Sequence, residues 1–390
     1  MKRFTVLDSF RGICALCVVL HHFNITGSIT EWSLFRNATY MVEFFFVLSG
    51  FVLTHAYSKR EFDWNNMRSF AITRTFRLFP LHLFMLVVFI ALEFIKLIAQ
   101  SKGVDFNKPA FTGVNAPIEI LPNLLLLQAW LPTTATLSFN YPSWSISIEY
   151  YLYAIFAIIM FSLRKISKTI VLAFLIVSIV SFLGLIYPIA HNVKVEVLNG
   201  LSCFFGGAVT YFIYKKLQPI KINSTLFSLF EIVMLLLCYF SVTMQYELKS
   251  VITSLIFCIT IYVFSFEAGI VSSLLGKAFF EFFGKISFSI YMTHAAVIFI
   301  AISATMACEK FFGKDLTYSV TTKSESTTRY MDFGSSTFNN AFALIILAVV
   351  VIVSYLTYRI IEVRSISAGK RFSKKESDLH ILKTKPDSKV

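Results

Sequence analysis

KTIVLAFLIVSIVSFLGLIYP, residues 168–188, carries one charge, Lys168 at its first position, and none behind it. A helix rises about 1.5 Å per residue, so about twenty such residues match the ~30 Å hydrocarbon core of a bilayer. Comparable apolar runs recur at 6–23, 39–57, 79–99, 144–163, 197–214, 225–243, 248–266, 284–306 and 340–361, ten in all. The stretch 118–131, IEILPNLLLLQAWL, is shorter and contains Pro122. It reads as an interfacial or re-entrant piece of the long 100–143 loop. The expected fold is an all-α polytopic membrane protein with about ten transmembrane helices.

Composition supports this class and removes others. Of 390 residues, 56% are apolar and only 15% charged, against roughly 45–50% and 25% in a soluble domain. Phenylalanine alone contributes 43 residues, and the mean hydropathy is +0.71. Disorder, a coiled coil, a secreted disulfide scaffold and nucleic-acid binding all fit poorly. The aromatic excess reads mostly as lipid-facing bulk. Five of the six cysteines, Cys14, Cys17, Cys203, Cys238 and Cys258, fall in apolar runs, while Cys308 falls in a loop. Cys14 and Cys17 read as two small apolar residues rather than a redox or metal motif, and no metal is expected.

The net charge of +13 has a direction. With the N-terminus inside, the inner segments hold 24 Lys and Arg and the outer segments hold 9. Positive residues collect on the cytoplasmic side, so both ends are expected there. The opening MKRFTVLDSFRGICALCVVLHHF resembles a secretory signal, but Asp8 and Arg11 interrupt its apolar core. It reads as a retained first helix. Residues 1–364 form the expected membrane unit. Residues 365–390 are basic and polar, and read as a disordered tail on the anionic inner leaflet. Neither tail is long enough for an attached soluble catalytic domain. The outer loop 307–339 is polar and rich in Ser and Thr.

Ionisable residues inside a membrane helix are costly, which makes each a functional candidate. The first run carries Asp8, Arg11, His21 and His22. Arg11 and His22 are eleven residues apart, close to three turns, so they share a face about 16 Å long. Asp8 lies on the same stripe, and His21 points about 100° away. The bland alternative is that these groups satisfy one another inside a bundle. Arg74 and Arg77, three apart ahead of Pro80, face one way at the inner start of the third run. Guanidinium forks suit phosphate, although a topogenic basic loop would look the same. Ser143-Trp-Ser-Ile-Ser-Ile-Glu149 opens the fourth run, with Tyr153 one turn on. By this topology His22, Glu43 and Glu149 share an outer level, and Arg11, Arg74 and Arg77 lie toward the inside. The pattern suits chemistry between a cytosolic anionic donor and an external acceptor. Glu93 and Lys96 read as a structural ion pair, and His82 as an interfacial histidine. Ser287, Ser289, Tyr291 and His294 read as helix packing. His55 and Glu231 receive no role.

These residues resemble the acyltransferase 3 family, integral membrane enzymes that include bacterial O-antigen, exopolysaccharide and nodulation-factor acetyltransferases. Leu7-Asp-Ser-Phe-Arg-Gly-Ile-Cys-Ala-Leu through His22-Phe23 is similar to the family's opening, with Arg11 and His22 on its Arg–His spacing. Arg74, Arg77 and Pro80 match its R-x-x-R motif, and Phe44-Phe-Phe-Val-Leu-Ser-Gly-Phe51 its second-helix motif. Trp144-Ser-Ile-Ser-Ile-Glu149 and Phe283-Gly-Lys-Ile-Ser-Phe-Ser-Ile-Tyr-Met-Thr-His294 match two more. Glu43 stands where an Asp is usual, and Arg364 where a Pro is usual. The resemblance implies an acyl-CoA donor, typically acetyl-CoA, taken from the cytoplasm as a substrate. It also implies a hydroxyl of a glycan or lipid-linked saccharide as acceptor, in a bacterial inner (plasma) membrane. Arg74, Arg77 and Arg11 would hold the donor phosphates, His22 would serve as general base, and Glu149 would orient the acceptor or the imidazole. No esterase-like domain of the kind fused to some members is expected to take part. The competing class is a transporter or flippase, which would use midplane charges equally well but has no need of R-x-x-R at the cytosolic rim.

Overall fold

The computed structural model describes residues 3–58, 61–104, 106, 108–163, 168–187, 193–217, 223–321 and 327–384, with side chains through Lys374. All ten apolar runs are helical. In chain order they are α1 (Thr5–His21), α2 (Tyr40–Tyr57), α3 (Trp64–Ser101), α4 (Ser143–Leu163), α5 (Lys168–Ile186), α6 (Val195–Lys216), α7 (Ser224–Thr243), α8 (Lys249–Phe264), α9 (Ala278–Phe312) and α10 (Ser336–Thr357). Eight helices among the described residues are long and apolar enough to cross a membrane; α1 and α8 are shorter. The protein is a multi-pass integral membrane protein. Of the basic residues in the charge count, Lys2, Lys59, Arg60, Arg164, Lys165, Lys221, Lys323, Lys385 and Lys389 lie outside the described residues.

Helix starts follow local chemistry. Asp63 accepts from the Asn66 amide at 2.7 Å at the head of α3, and Asn223 accepts from the Thr225 amide at 2.9 Å at the head of α7. Side-chain oxygens here satisfy amides that have no partner within the helix. The Asp63 cap starts α3 much earlier than the apolar run does. Arg74 and Arg77 therefore lie well inside a continuous helix, not on a topogenic loop. Pro80 is accommodated within it.

The interior overturns the lipid-facing reading of the aromatics. Phe51, Phe62, Phe70, Phe156, Phe174, Phe204, Phe205, Phe257 and Phe264 are among the most buried side chains. A bilayer already solvates Leu and Val, so helix association depends on close packing. Flat rings that interlock edge to face, as Phe62 does with Phe70 (5.8 Å), supply it. The outside is mostly Leu, Ile and Val, exposed along α5, α7 and α10, with a minority of rings such as Phe230, Phe240 and Phe338.

Two loop expectations change. The segment 307–339 begins with the last turns of α9, so Cys308 is helical, and continues into an antiparallel hairpin, β1 (Thr317–Thr321) and β2 (Thr327–Met331). Met331 pairs with the strand-like segment just after His22: its amide donates to Asn24 O at 2.9 Å, and its carbonyl accepts from Thr26 N at 3.0 Å. Where the composition predicts a disordered tail, a helix α11 (Val363–Thr384) continues from α10 through one π-helical turn, Tyr358–Glu362. Phe372 stacks on Phe76 of α3 at 5.6 Å, and Gly369 lies against the same ring. One apolar face is enough to hold this otherwise polar helix against the bundle.

Several buried polar groups have structural jobs. Glu93 accepts from Lys96 (3.4 Å), Phe111 N (2.8 Å) and Asn115 Nδ2 (2.8 Å), which confirms the ion pair and ties the 100–143 loop to α3. His82 is fixed on that loop through Asn123 O at 2.7 Å. Glu231 is fully buried and accepts from Gly269 N, Ser272 N and Ser272 Oγ, at the start of the short helix Ile270–Leu275.

Candidate active site

The site is built where α1 lies along α9. Arg3 bridges to Glu281 at 2.8 Å at one end, and His22 meets His294 at the other, so the two helices run parallel. Glycine permits the approach. A Cβ on Gly12 would sit 2.6 Å from Gly284 N, and one on Gly284 would collide with the Asp8 carbonyl. Asp8 is drawn to the rim by Arg3 at 2.9 Å and does not pair with Arg11.

At the far end, the His22 and His294 ring centroids are 5.3 Å apart with planes 23° from parallel. Tyr141 closes on His22 at 4.6 Å. Asn140 holds that tyrosine's segment by donating to Met292 O at 3.1 Å. His21 turns away, its Nδ1 lying 3.0 Å from Phe35 O. This agrees with the expected 100° offset. His294 Nδ1 lies 3.2 Å from Ile290 O. A carbonyl can only accept, so in the neutral ring Nδ1 carries the proton and Nε2 is a bare lone pair. That Nε2 is buried and has no partner among the described residues.

The arginines form the opposite end. Arg74 lies over the rings of Tyr153 (5.3 Å), Phe70 (5.6 Å) and Tyr57 (5.9 Å), and its buried Nε lacks a partner among the described residues. No ion pair within 4.0 Å involves Arg11, Arg74 or Arg77 among the described residues, whereas Arg3 on the rim is doubly paired. Arg77 lies in the field of Tyr153, Glu362, Glu149 and Asp8. Glu362, on the π-helical turn, is held by Ser289 at 2.8 Å and feels both Arg77 and Arg11.

A narrow cavity of about 40 Å³ lies between α1, α2, α4 and α9. Arg11, Ser49, Ser145, Glu149, Ser287 and Tyr291 are among its lining residues. Glu149 accepts from Ser49 Oγ at 2.8 Å and from the Tyr153 hydroxyl. Ser145 donates to Tyr291 at 2.8 Å, whose ring lies 5.9 Å from His294.

The expected two-level layout therefore needs correction. Arg11 and Glu149 line the same cavity and Arg77 lies in the field of Glu149, so Glu149 is not segregated with His22 from the arginines. Helix tilt and the long α3 bring together residues that a one-dimensional depth count separates. Glu43 leaves the group altogether. It is buried among Ser250 (2.9 Å) and Ser254 (3.0 Å) of α8, with Asn199 of α6 on the same Ser250. Three site residues escape sequence reasoning: His294, which reads as packing; Glu362, which closes an apolar run; and Tyr141, which lies in a loop. For His294, the signal was its place at the end of the late-helix motif.

The sequence model of the acyltransferase domain of the acyltransferase 3 family matches residues 4–359. Acyltransferase MdmB of Streptomyces mycarofaciens is 38% identical over 126 residues, 32% of this chain and 29% of that protein. The chain thus spans under a third of that relative. Protein 2 in the picA locus of Rhizobium radiobacter is 31% identical over 166 residues, 40% of this chain and 82% of that protein. No solved structure matches.

Proposed function

Because the chain belongs to the acyltransferase 3 family, we propose that it is an O-acyltransferase carrying an acyl group from cytosolic acyl-CoA to a hydroxyl of a cell-surface glycan or its lipid-linked precursor. Acetyl-CoA is the donor proposed, and a bacterial inner membrane the location. One observation carries the reading: three guanidiniums, Arg11, Arg74 and Arg77, stand within the bundle without an ion-pair partner among the described residues, and Arg11 lines a cavity with Tyr291, whose ring lies beside His294. An unpaired charge at such a place is costly and awaits an anion. The phosphates of coenzyme A supply one, and Arg74 and Arg77 receive them as charge-assisted forks.

The thioester arm then rises past Arg11 and Glu149 to His22. The acceptor hydroxyl oxygen attacks the thioester carbonyl, forming a C–O bond as the C–S bond breaks. His22 takes the hydroxyl proton and returns it to the departing thiolate. General-base help of this kind contributes about 10²–10⁴-fold. The cavity of about 40 Å³ holds little more than one water, so donor entry requires side chains to part.

Membranes containing the protein, given acetyl-CoA labelled in the acetyl group, are expected to incorporate label into alkali-labile esters of the glycan fraction. Parallel membranes from a deletion strain should not. Equal incorporation in both would sink the proposal.

A further inference from the structure

His294 has no part in the reaction above, yet it is fully buried against the residue that does. Its Nδ1 proton is spent on Ile290 O, at 3.2 Å on its own helix. Its Nε2 lone pair has no partner among the described residues. Leaving a buried acceptor bare is expensive, and the groups around this one do not relieve it. His21 is engaged with Phe35, the Tyr291 hydroxyl accepts from Ser145 and makes no hydrogen bond to this nitrogen, and Tyr141 meets the ring edge to face at 6.0 Å and 78°. The partner must arrive with a substrate, and it must be a donor. The donor substrate's thioester carbonyl and phosphates only accept. The amides of its pantetheine arm can donate, but they are present in thioester hydrolysis and in transfer alike. A hydroxyl of the acceptor donates only in transfer, and the rates of the two reactions separate them.

The reacting hydroxyl gives its single proton to His22, so it has none for His294. We propose that His294 is an acceptor-binding residue: its Nε2 takes a hydrogen bond from a second hydroxyl of the same sugar, neighbouring the one that is acylated. This rests on the proposed function and narrows its acceptor to a group with adjacent hydroxyls. Two imidazoles with centroids 5.3 Å apart bracket such a pair, one nitrogen for each oxygen. Asn140 fastens the Tyr141 segment to α9 beside these rings, which fixes that tyrosine next to the proposed sugar site.

The test uses full-length protein in the membranes of its own host, with labelled acetyl-CoA, and reads two rates. One is transfer to glycan; the other is hydrolysis of the thioester by water, which needs His22 but no second hydroxyl. His294→Phe keeps the ring and removes the lone pair. His294→Gln restores an acceptor oxygen. The expected result for His294→Phe is transfer reduced about tenfold or more, as for a buried hydrogen-bonding group left without its partner, with hydrolysis within twofold of wild type. His294→Gln should recover part of the transfer. If transfer and hydrolysis fall together, His294 holds His22 in place or binds the acyl-CoA arm, and the inference is wrong. Wild-type transfer in His294→Phe overturns it as well. Wild-type membranes that neither transfer nor hydrolyse acyl-CoA would instead strike at the proposed function itself.

Discussion

Gly12→Ala is the smallest change expected to disable the site without touching a polar group. The added Cβ would lie 2.6 Å from Gly284 N and from Phe283 C. Comfortable separations between non-bonded heavy atoms are about 3.5–4.0 Å, so α1 and α9 must part by about 1 Å. Backbone atoms line the contact, and no flexible side chain end is available to yield. Overpacking of this kind costs about 1–3 kcal/mol. The larger effect is on geometry, because His22 rides on α1 and His294 on α9. A displacement of about 1 Å in a reacting constellation costs about 10²-fold in rate. The assay is acetyl transfer at saturating acetyl-CoA by membranes matched for folded protein, judged by size-exclusion profile. Gly184→Ala serves as control, since its Cβ would meet only the Leu198 Cδ1 and Cδ2 tips at 3.4 and 3.5 Å, and it should transfer normally. Wild-type transfer by Gly12→Ala would refute the argument that this helix contact sets the site.

Three further outcomes follow from the same geometry. His22→Ala should abolish transfer, while His21→Ala, which loses the bond to Phe35 O and an edge contact with His22 at 4.8 Å, retains a substantial part; equal loss in both at equal expression would remove His22 as base. Arg74→Ala or Arg77→Ala should each weaken acetyl-CoA binding by about 10–100-fold, the range of a charged hydrogen bond, with Lys rescuing only partly; unchanged affinity in the double variant, measured by calorimetry, would place the donor elsewhere. Glu149→Gln should lower turnover yet leave donor affinity equal or higher, because it removes a negative charge from the field of Arg77; a marked drop in affinity would show that Glu149 supports the donor site directly.

Much of this protein was legible in one dimension. Ten apolar runs became ten helices because a bilayer demands internally satisfied backbone, and that demand acts on each segment separately. The Arg11–His22 face followed from helical periodicity alone, as did the i,i+3 alignment of Arg74 with Arg77. The Glu93–Lys96 pair was likewise local. Family motifs marked Glu149 and the late helix without saying what either touches.

What the tertiary structure decided is which faces meet. Nothing in the order of residues says that Gly12 opposes Gly284, and on that contact depends the pairing of His22 with His294. Depth along a chain placed Glu43 with the site, but the rotation of α2 turned it to the serines of α8. Glu362 joined the arginines because a π-helical turn carries it inward at the end of an otherwise apolar helix. The tail became a helix because Phe76, far off in sequence, offered Phe372 a surface. Periodicity fixes where a side chain points around its own axis. Which neighbour stands there is fixed by the packing of all the helices together, and the chemistry of this site lies between helices.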